Sequence, residues 1–136
     1  MSKFLVSACL AGFPCRYDGK AKTDPEVVKL VKQGLAIPIC PEQIGGLPTP
    51  RPAAELVGQR ILSATGEDFT ENFVRGAQET LRLAQEFGCT KAILKSGSPS
   101  CGFGQIYDGT FSGKMTAGMG ITARLLWENG FEVESR

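Results

Sequence analysis

Histidine is absent from all 136 residues of the sequence. This excludes the Ser-His-Asp triad, the Cys-His pair and histidine-ligated metal sites, and with them most hydrolases and zinc enzymes. A surplus of one charge is missing too, because fifteen Lys and Arg stand against fourteen Asp and Glu, for a formal charge of +1. So small a net charge argues against nucleic acid and anionic lipid as partners.

Long apolar runs are also lacking, and none approaches the length of a membrane span. The first six residues are too short an apolar stretch for a signal peptide. With 42% apolar and 21% charged residues the composition is that of a soluble globular protein. We therefore expect a cytoplasmic protein without membrane contact, folded as a single domain over residues 1–136.

Short apolar runs predict four strands, and segments with apolar residues at helical spacing predict three helices between them. This alternation, with short connections, predicts a Rossmann-like α/β domain of three layers with a mostly parallel sheet. Pro38 lacks a backbone donor, so its strand should lie at a sheet edge or end there. The predicted strands cover 4–8, 35–39, 91–95 and 131–133, and the predicted helices cover 25–34, 68–87 and 121–129.

Two of the helices carry recognisable start signals. Asp24 supplies an N-cap, Pro25 the favoured first-turn proline and Glu26 a first-turn acid. Asp68 and Glu71 have the spacing of a capping box at the start of the longest helix. The apolar stripe expected on its buried face consists of Phe69, Phe73, Ala77, Leu81, Ala84 and Phe87.

Proline and glycine concentrate in two stretches that we predict to be loops. Residues 40–52 hold four of the eight prolines, and residues 96–120 hold seven glycines. The second stretch should make several turns without regular structure. Ordered loops of such length usually carry function.

Five cysteines without a secretory signal argue against a disulfide framework and for metal ligation, redox chemistry or simple burial. Cys9 and Cys40 directly follow predicted strands, and Cys101 lies in the loop after a third. Parallel strands end at one sheet edge, so these thiols should converge. Their separations of 31 and 61 residues match no local zinc or ferredoxin motif, and three thiolates suit an iron-sulfur cluster with one open iron. Burial as small apolar side chains explains the same positions equally well.

The other two cysteines differ in their surroundings. Cys89 directly follows Gly88 at a predicted helix end, which favours a purely structural thiol. Cys15 lies in the first loop beside Arg16, a neighbour that could favour its thiolate. Cys15 is therefore a reserve ligand.

Candidate catalytic groups accompany two of the thiols. Glu42 stands two residues after Cys40 and could act as a general base for water, although a solvated acid or a helix cap is the more frequent role of such a residue. Ser98 and Ser100 bring two hydroxyls close to Cys101, where serines usually form turns.

Several further polar residues are explained by position alone. Arg51 and Lys95 could bind an anionic or carbonyl group, but lone basic residues are typically surface charges. Asp18 and Asp108 both precede glycine and should be turn residues.

Five motifs in order span nearly the whole chain. They are SACLAG at 7–12, CRYDG at 15–19, CPEQIGGLPTPR at 40–51, SPSCG at 98–102 and YDGTFSG at 107–113. Together they resemble the thiouracil desulfidase family. A match of five ordered motifs is specific for membership of a family.

The resemblance implies a 4Fe-4S cluster held by three cysteines, which map to Cys9, Cys40 and Cys101, with the fourth iron open. It also implies a catalytic glutamate and serine, for which the matching residues are Glu42 and Ser98. The implied reaction converts thiouracil to uracil plus sulfide without electron transfer, and the substrate is a small thiolated base. A tRNA-derived substrate and the oligomeric state stay open.

The implied chemistry agrees with elementary principles. A thiocarbonyl sulfur is a soft donor, and an open iron is a Lewis acid that draws electron density from the C=S carbon. Water can then attack that carbon, with Glu42 taking its proton and Ser98 orienting it. Two alternatives stay open: a non-catalytic module that binds the cluster or sulfur, and a cluster-free thiol enzyme that uses Cys9 or Cys101.

Overall fold

The computed structural model describes residues 3–136, and its helices and strands alternate along the chain. None of the helices in this part of the chain is long and apolar enough to cross a membrane. The strands are β1 (Phe4–Ser7), β2 (Ala36–Ile39), β3 (Ala54–Val57), β4 (Arg60–Ser63), β5 (Lys91–Leu94), β6 (Phe103–Tyr107), β7 (Met115–Met119) and β8 (Glu132–Ser135), and the helices are α1 (Pro25–Lys32), α2 (Pro41–Ile44), α3 (Thr70–Glu86) and α4 (Ile121–Glu128).

Four of the strands form a parallel sheet in the order β2, β1, β5, β8. The edge position of β2 agrees with the prediction from Pro38, which has no backbone donor for the ladder. The final strand covers Glu132–Ser135, so the predicted range of 131–133 began one residue early and ended two residues early. Because all neighbours are parallel, the carboxyl ends of the strands lie along one edge of the sheet.

Both faces of this sheet are buried under helices. Leu5 of β1 belongs to a core cluster with Ala84 of α3 and Leu126 of α4. Val6, the next residue, belongs to a second cluster with Val27 of α1. Since successive side chains of a strand point to opposite faces, helices cover the sheet on both sides, and the predicted three-layer α/β fold is confirmed.

The start signals of α1 and α3 gave different outcomes. The Asp24 carboxylate accepts the Glu26 backbone N–H at 2.9 Å, so the predicted cap of α1 is confirmed. The capping box of α3 is wrong, because the N-cap residue is Phe69. The Asp68 carboxylate instead accepts the Thr70 N–H at 2.9 Å and pairs with Arg60 of β4.

The buried face of α3 also differs from the predicted stripe at its end. Phe87 is 53% exposed, since it lies just beyond the last helical residue. Gly76 and Thr80 join the buried face, and the Thr80 hydroxyl donates to the Gly76 carbonyl at 2.7 Å. That bond satisfies a hydroxyl with no access to water.

The segment 40–52 is not entirely loop, because α2 begins directly after Cys40. Pro41 occupies the first turn, where its missing N–H costs nothing. A Cβ on Gly76 would lie 2.0 Å from the Pro41 carbonyl oxygen, and one on Gly45 would lie 2.1 Å from that of Asn72. Two glycines therefore let α2 and α3 approach backbone to backbone, which fixes the position of α2.

The prediction that residues 96–120 lack regular structure is wrong, because this stretch contains the antiparallel pair β6 and β7. Gly104 lies opposite Gly118, and glycine weakens the sequence pattern of a strand. The hairpin of β3 and β4 was not predicted from the sequence either. Glu55 of β3 joins the two hairpins, since its carboxylate accepts the N–H groups of Gly109 and Phe111 at 3.0 and 3.1 Å.

Candidate functional site

A cavity of about 250 Å³ lies at the carboxyl edge of the parallel sheet. Its lining includes residues at the ends of β1, β2 and β5, together with Glu55 from the first hairpin and Tyr107 from the second. Four of the five cysteines line it: Cys9, Cys15, Cys40 and Cys101. This concentration of sulfur is the main chemical feature of the cavity.

Strand geometry explains how distant thiols reach one place. Cys9 lies in a 3-10 turn, Ala8–Ala11, that directly follows β1. Cys40 directly follows β2 and is the N-cap residue of α2, and Cys101 lies in the loop after β5. The structure therefore brings together the three thiols that the sequence placed at the sheet edge.

The thiols are close enough to influence one another's protonation. Cys9 and Cys15 lie in one buried cluster with Cys40 packed against it, and hydrogen bonding from Cys15 lowers the pKa of Cys9. For Cys15 itself, the bond from Cys40 acts downward, but the bond to Cys9 and burial prevail and raise its pKa to about 11. The bond to Cys15 and burial raise the pKa of Cys40. Burial raises the pKa of Cys101 to about 12, and the charges of Glu42 and Cys40 act in the same direction.

The donor set of the cavity is chemically suited to an iron-sulfur cluster, because it consists of thiols. Across residues 3–136, no three Cys, Asp or Glu side chains are grouped closely enough to hold one ion. A cluster of four irons spreads its thiolates more widely than one ion does, and thiolates are its usual ligands. Cluster binding would require the buried thiols to lose their protons, which couples it to the release of protons.

The loop that carries Cys101 is held by its own hydroxyls. Ser98 Oγ accepts the N–H groups of Ser100 and Cys101 at 2.9 and 3.1 Å, so the predicted turn-forming role is observed. Ser98 also lines the cavity. Ser100 is buried and shares a 2.8 Å hydrogen bond with Thr122 of α4. These bonds connect the loop to the first turn of α4.

Glu42 lies in the first turn of α2 and lines the cavity with the thiols. Its side chain is 19% exposed and pairs with Arg51, whose Nε lies 3.3 Å from Glu42 Oε1. Burial raises the pKa of Glu42, and the neighbouring Arg51 charge opposes that shift without cancelling it. The carboxylate is therefore not the solvated loop acid that sequence alone favoured.

Arg51 is the largest departure from the sequence expectation. Its side chain is only 3% exposed, so it is no surface charge. Besides Glu42, the guanidinium donates to the carbonyl oxygens of Cys15 and Pro48, at 2.8 and 3.2 Å, and to Thr49 Oγ1 at 2.9 Å. The Cys15 carbonyl also accepts from Cys40 Sγ at 3.7 Å. One buried cation thus connects the acid of α2 with the backbone beside two thiols.

Lys95 directly follows β5 and contributes a second cation to the lining. Burial lowers the pKa of Lys95, as do the charges of Arg16 and Lys22, while Cys9 and Cys101 act in the opposite direction. Its ammonium donates to the carbonyl and hydroxyl of Ser96, both at 3.1 Å.

The remaining candidates lie outside this arrangement. Cys89 is buried in the core cluster beside α3 and α4, as expected of a structural thiol. The Asp18 carboxylate accepts the Lys20 N–H at 3.0 Å, and the Asp108 carboxylate accepts the Thr110 N–H at 2.9 Å. Both aspartates are therefore turn residues, as predicted.

Comparisons with known proteins agree with the geometry. The family model described as 2-thiouracil desulfurase matches residues 4–136. The chain is 45% identical over 141 residues to the uncharacterised protein YbbK of Bacillus subtilis strain 168, covering 96% of this chain and 93% of that protein. It also superposes on the solved structure of the 4Fe-4S-dependent thiouracil desulfidase TudS with a TM-score of 0.95 and 46% identity, over 100% of this chain and 91% of that one.

Proposed function

The chain belongs to the 2-thiouracil desulfurase family, and we propose that it removes sulfur from a thiolated pyrimidine base by redox-neutral hydrolysis, as a single-domain desulfidase. The observation that carries this proposal is the cavity in which four thiols and the carboxylate of Glu42 lie together. The related protein TudS is a 4Fe-4S-dependent thiouracil desulfidase, which supports both the reaction and the cofactor.

Cys9, Cys40 and Cys101 would hold the cluster, leaving one iron without a protein ligand. When bound, the cluster supplies a Lewis acid that takes up the substrate's soft thiocarbonyl sulfur. Cys15 lies in the same buried cluster as Cys9, and its carbonyl oxygen accepts from Cys40 Sγ, but its thiol stays outside the proposed ligand set. The three ligands come from three separate strand ends, so the folded sheet sets their spacing.

Glu42 would be the general base. Its raised pKa brings the carboxylate toward the range in which a base both exists deprotonated and accepts a proton readily. A water molecule beside it loses one proton to Glu42 as its oxygen bonds to the C=S carbon. As the C–S bond breaks, the hydroxyl that water left on the carbon gives its remaining proton to the sulfur and becomes the carbonyl of the product, and the sulfur leaves as hydrosulfide. The same carboxyl group can return its proton to the departing sulfide.

Ser98 would orient the attacking water. Its oxygen already accepts two backbone N–H groups, from Ser100 and Cys101, so its own hydroxyl proton is free to donate. Those bonds hold the side chain beside the cavity, where its hydroxyl can donate to a water molecule. Ser98 is thus both a turn former and a candidate catalytic group.

The decisive experiment is turnover by anaerobically reconstituted protein. We expect 2-thiouracil or 4-thiouracil to yield uracil and sulfide in equal amounts. Chromatography measures the uracil, and a sulfide assay measures the sulfide. Protein that takes up the cluster and never turns over a thiolated base would instead be a binding module. Failure to take up iron under reducing, oxygen-free conditions would favour the cluster-free thiol enzyme.

Two glutamates of the cavity make a matched pair of variants. Glu42→Gln removes the base and should lower kcat by about 100- to 10,000-fold while the visible spectrum of the cluster persists. Glu55→Gln also alters an acid of the cavity lining, but that side chain accepts hydrogen bonds from the second hairpin, and the amide oxygen can replace it. Equal activity of the two variants would contradict the role of Glu42.

A further inference from the structure

We propose that Lys95 is a substrate-binding residue that donates a hydrogen bond to the oxygen the thiolated base retains, on the side of the ring away from Glu42. The inference rests on the proposed function and adds the chemical group that recognises the rest of the base. It comes from the charge balance of the cavity and from the order of the strands.

The first observation is the state of the Lys95 ammonium. An ammonium group has three donors, and the two partners of Lys95 are both atoms of Ser96. Throughout residues 3–136, the ion pairs do not include Lys95, whereas the other two cations of the lining are paired, Arg51 with Glu42 and Arg16 with Asp18. Among the three cations of this lining, Lys95 is therefore the one whose charge is not already paired with a carboxylate and can bind a ligand.

The second observation is the rigidity of its backbone. The Lys95 N–H donates to Ser7 Oγ at 2.9 Å, which joins the end of β5 to the end of β1. Ser7 is itself buried. The base of the Lys95 side chain is thereby held at the sheet edge, as a residue that selects a ligand should be.

The third observation is the position of Lys95 relative to Glu42. β2 and β5 are the two neighbours of β1 in the sheet. Their carboxyl ends therefore lie two interstrand spacings apart, or roughly 10 Å. Glu42 follows β2 and Lys95 follows β5, with Cys9 after the strand between them. Glu42 and Lys95 thus line one cavity from the strands on either side of β1, and a base bound in that cavity would have the acid on one side and the ammonium on the other.

The chemistry gives this contact a purpose. Either uracil derivative with one sulfur keeps one carbonyl oxygen, and attack by water on the C=S carbon leaves negative charge on the ring system. A hydrogen bond from Lys95 stabilises that charge without any transfer of its proton, so the proton balance between water, Glu42 and sulfide is unchanged.

The test compares two ligands that differ at the oxygen that 2-thiouracil retains, the one on C4. Uracil carries this oxygen, pyrimidin-2-one lacks it together with the N3 proton, and neither ligand contains sulfur. Calorimetric titration of cluster-loaded wild type should show tighter binding of uracil by roughly 10- to 150-fold, the range of hydrogen bonds to charged groups. Lys95→Met should lose this preference, and Lys95→Arg should restore part of it.

Lys91→Met is the matched control, since Lys91 lies at the other end of the same strand and pairs with Glu132 at 3.6 Å. It should bind both ligands as wild type does. A Lys95→Met protein that still prefers uracil, or a wild type with no preference, overturns the inference. Loss of the cluster spectrum in Lys95→Met also overturns it, because Lys95 would then serve the cluster.

Turnover of 2-thiouracil by wild type, measured in parallel, separates the two levels of the proposal. Sulfide release by wild type together with an unchanged ligand preference in Lys95→Met would refute only the role of Lys95. Absence of turnover in cluster-loaded wild type would refute the proposed function, and the inference with it.

Discussion

Two cavities of nearly equal volume, about 250 and 260 Å³, differ completely in chemistry. One of them is lined by Phe4 and by residues of β5 and β8, and an ion pair joins Lys91 and Glu132 in its lining. The cavity at the carboxyl edge gathers four thiols, a buried guanidinium, two carboxylates and an ammonium. The comparison teaches that volume does not define a functional site, whereas the convergence of reactive groups does.

The ion pairs of the two cavities show the same contrast in energetic terms. Lys91 and Glu132 are 52% and 78% exposed, so water screens their attraction, and such pairs are usually worth about 0–1 kcal/mol. The Arg51 side chain is 3% exposed, and Glu42 is 19% exposed. Removing one partner of so buried a pair leaves an uncompensated charge, which costs far more than the pair itself contributes.

The largest effect should come from the thiols themselves. Serine in place of Cys9, Cys40 or Cys101 should abolish cluster binding in each case, because the alcohol is a poor iron ligand. Iron content and visible absorption after anaerobic reconstitution measure this. Cys89→Ala should keep the cluster, since Cys89 lies in the core. Retention of a full cluster by any of the three serine variants would remove that cysteine from the ligand set.

Cys15→Ser sharpens the same experiment. Cys15 contacts two of the proposed ligands and lines the cavity, but a three-cysteine site predicts that its serine variant still binds four irons. If Cys15→Ser loses iron while one of the other three serine variants keeps it, Cys15 takes the place of that cysteine in the ligand set.

Arg51→Met should have the next largest effect, because Glu42 loses its ion-pair partner and the Cys15 carbonyl loses a hydrogen-bond donor. We expect a loss on the order of 100-fold in kcat, the scale of a misplaced catalytic group, and destabilisation of about 3–5 kcal/mol in urea unfolding. Arg51→Lys keeps the charge without the fork of donors and should be intermediate. Wild-type kcat in Arg51→Met would show that Glu42 needs no partner.

The pH dependence of kcat/KM tests the pairing of Glu42 with Arg51 through the direction in which its acidic limb moves. A general base must be deprotonated, so kcat/KM should fall as pH drops through the pKa of Glu42, which burial raises above the ordinary glutamate value. Because the Arg51 charge lowers that pKa, Arg51→Met should move the acidic limb to higher pH. If the acidic limb stays in place or moves to lower pH, it reports the titration of a group other than Glu42.

A smaller effect is expected from the anchor of the thiol loop. Thr122→Val removes the partner of the buried Ser100 hydroxyl and should cost about 1–3 kcal/mol of stability. Thr122→Ser keeps the hydroxyl and serves as the control. The urea midpoint measures both, and equal midpoints would mean that the loop is held in other ways.

The smallest effect belongs to the second cavity. Glu132→Gln removes a screened charge from an exposed pair, so cluster content and kcat should equal those of wild type. The thermal midpoint should move by no more than a few degrees, and less at high salt. A large loss of activity would contradict the contrast between the two cavities, because it would show that the second cavity also has a functional role.

Prediction from sequence succeeded where a signal acts over a few residues. Asp24 and Pro25 start α1 through contacts within one turn, and Pro38 marks an edge strand through a missing donor. It failed at β6 and β7, where Gly104 and Gly118 conceal the strand pattern that cross-strand pairing stabilises. It also failed at Arg51, since no neighbour in sequence distinguishes a buried arginine from an exposed one.

The residue inventory limits the available chemistry: without histidine, reactivity depends on thiols, carboxylates and cations, and local signals set several of the elements that carry them. Which of these groups meet depends on tertiary contacts. Cys9 and Lys95 are neighbours at the sheet edge because β1 pairs with β5, and Glu42 is held because α2 packs on α3 and Arg51 turns inward. The physical reason is range, since caps and turns act within a few residues, whereas parallel pairing and burial join segments tens of residues apart.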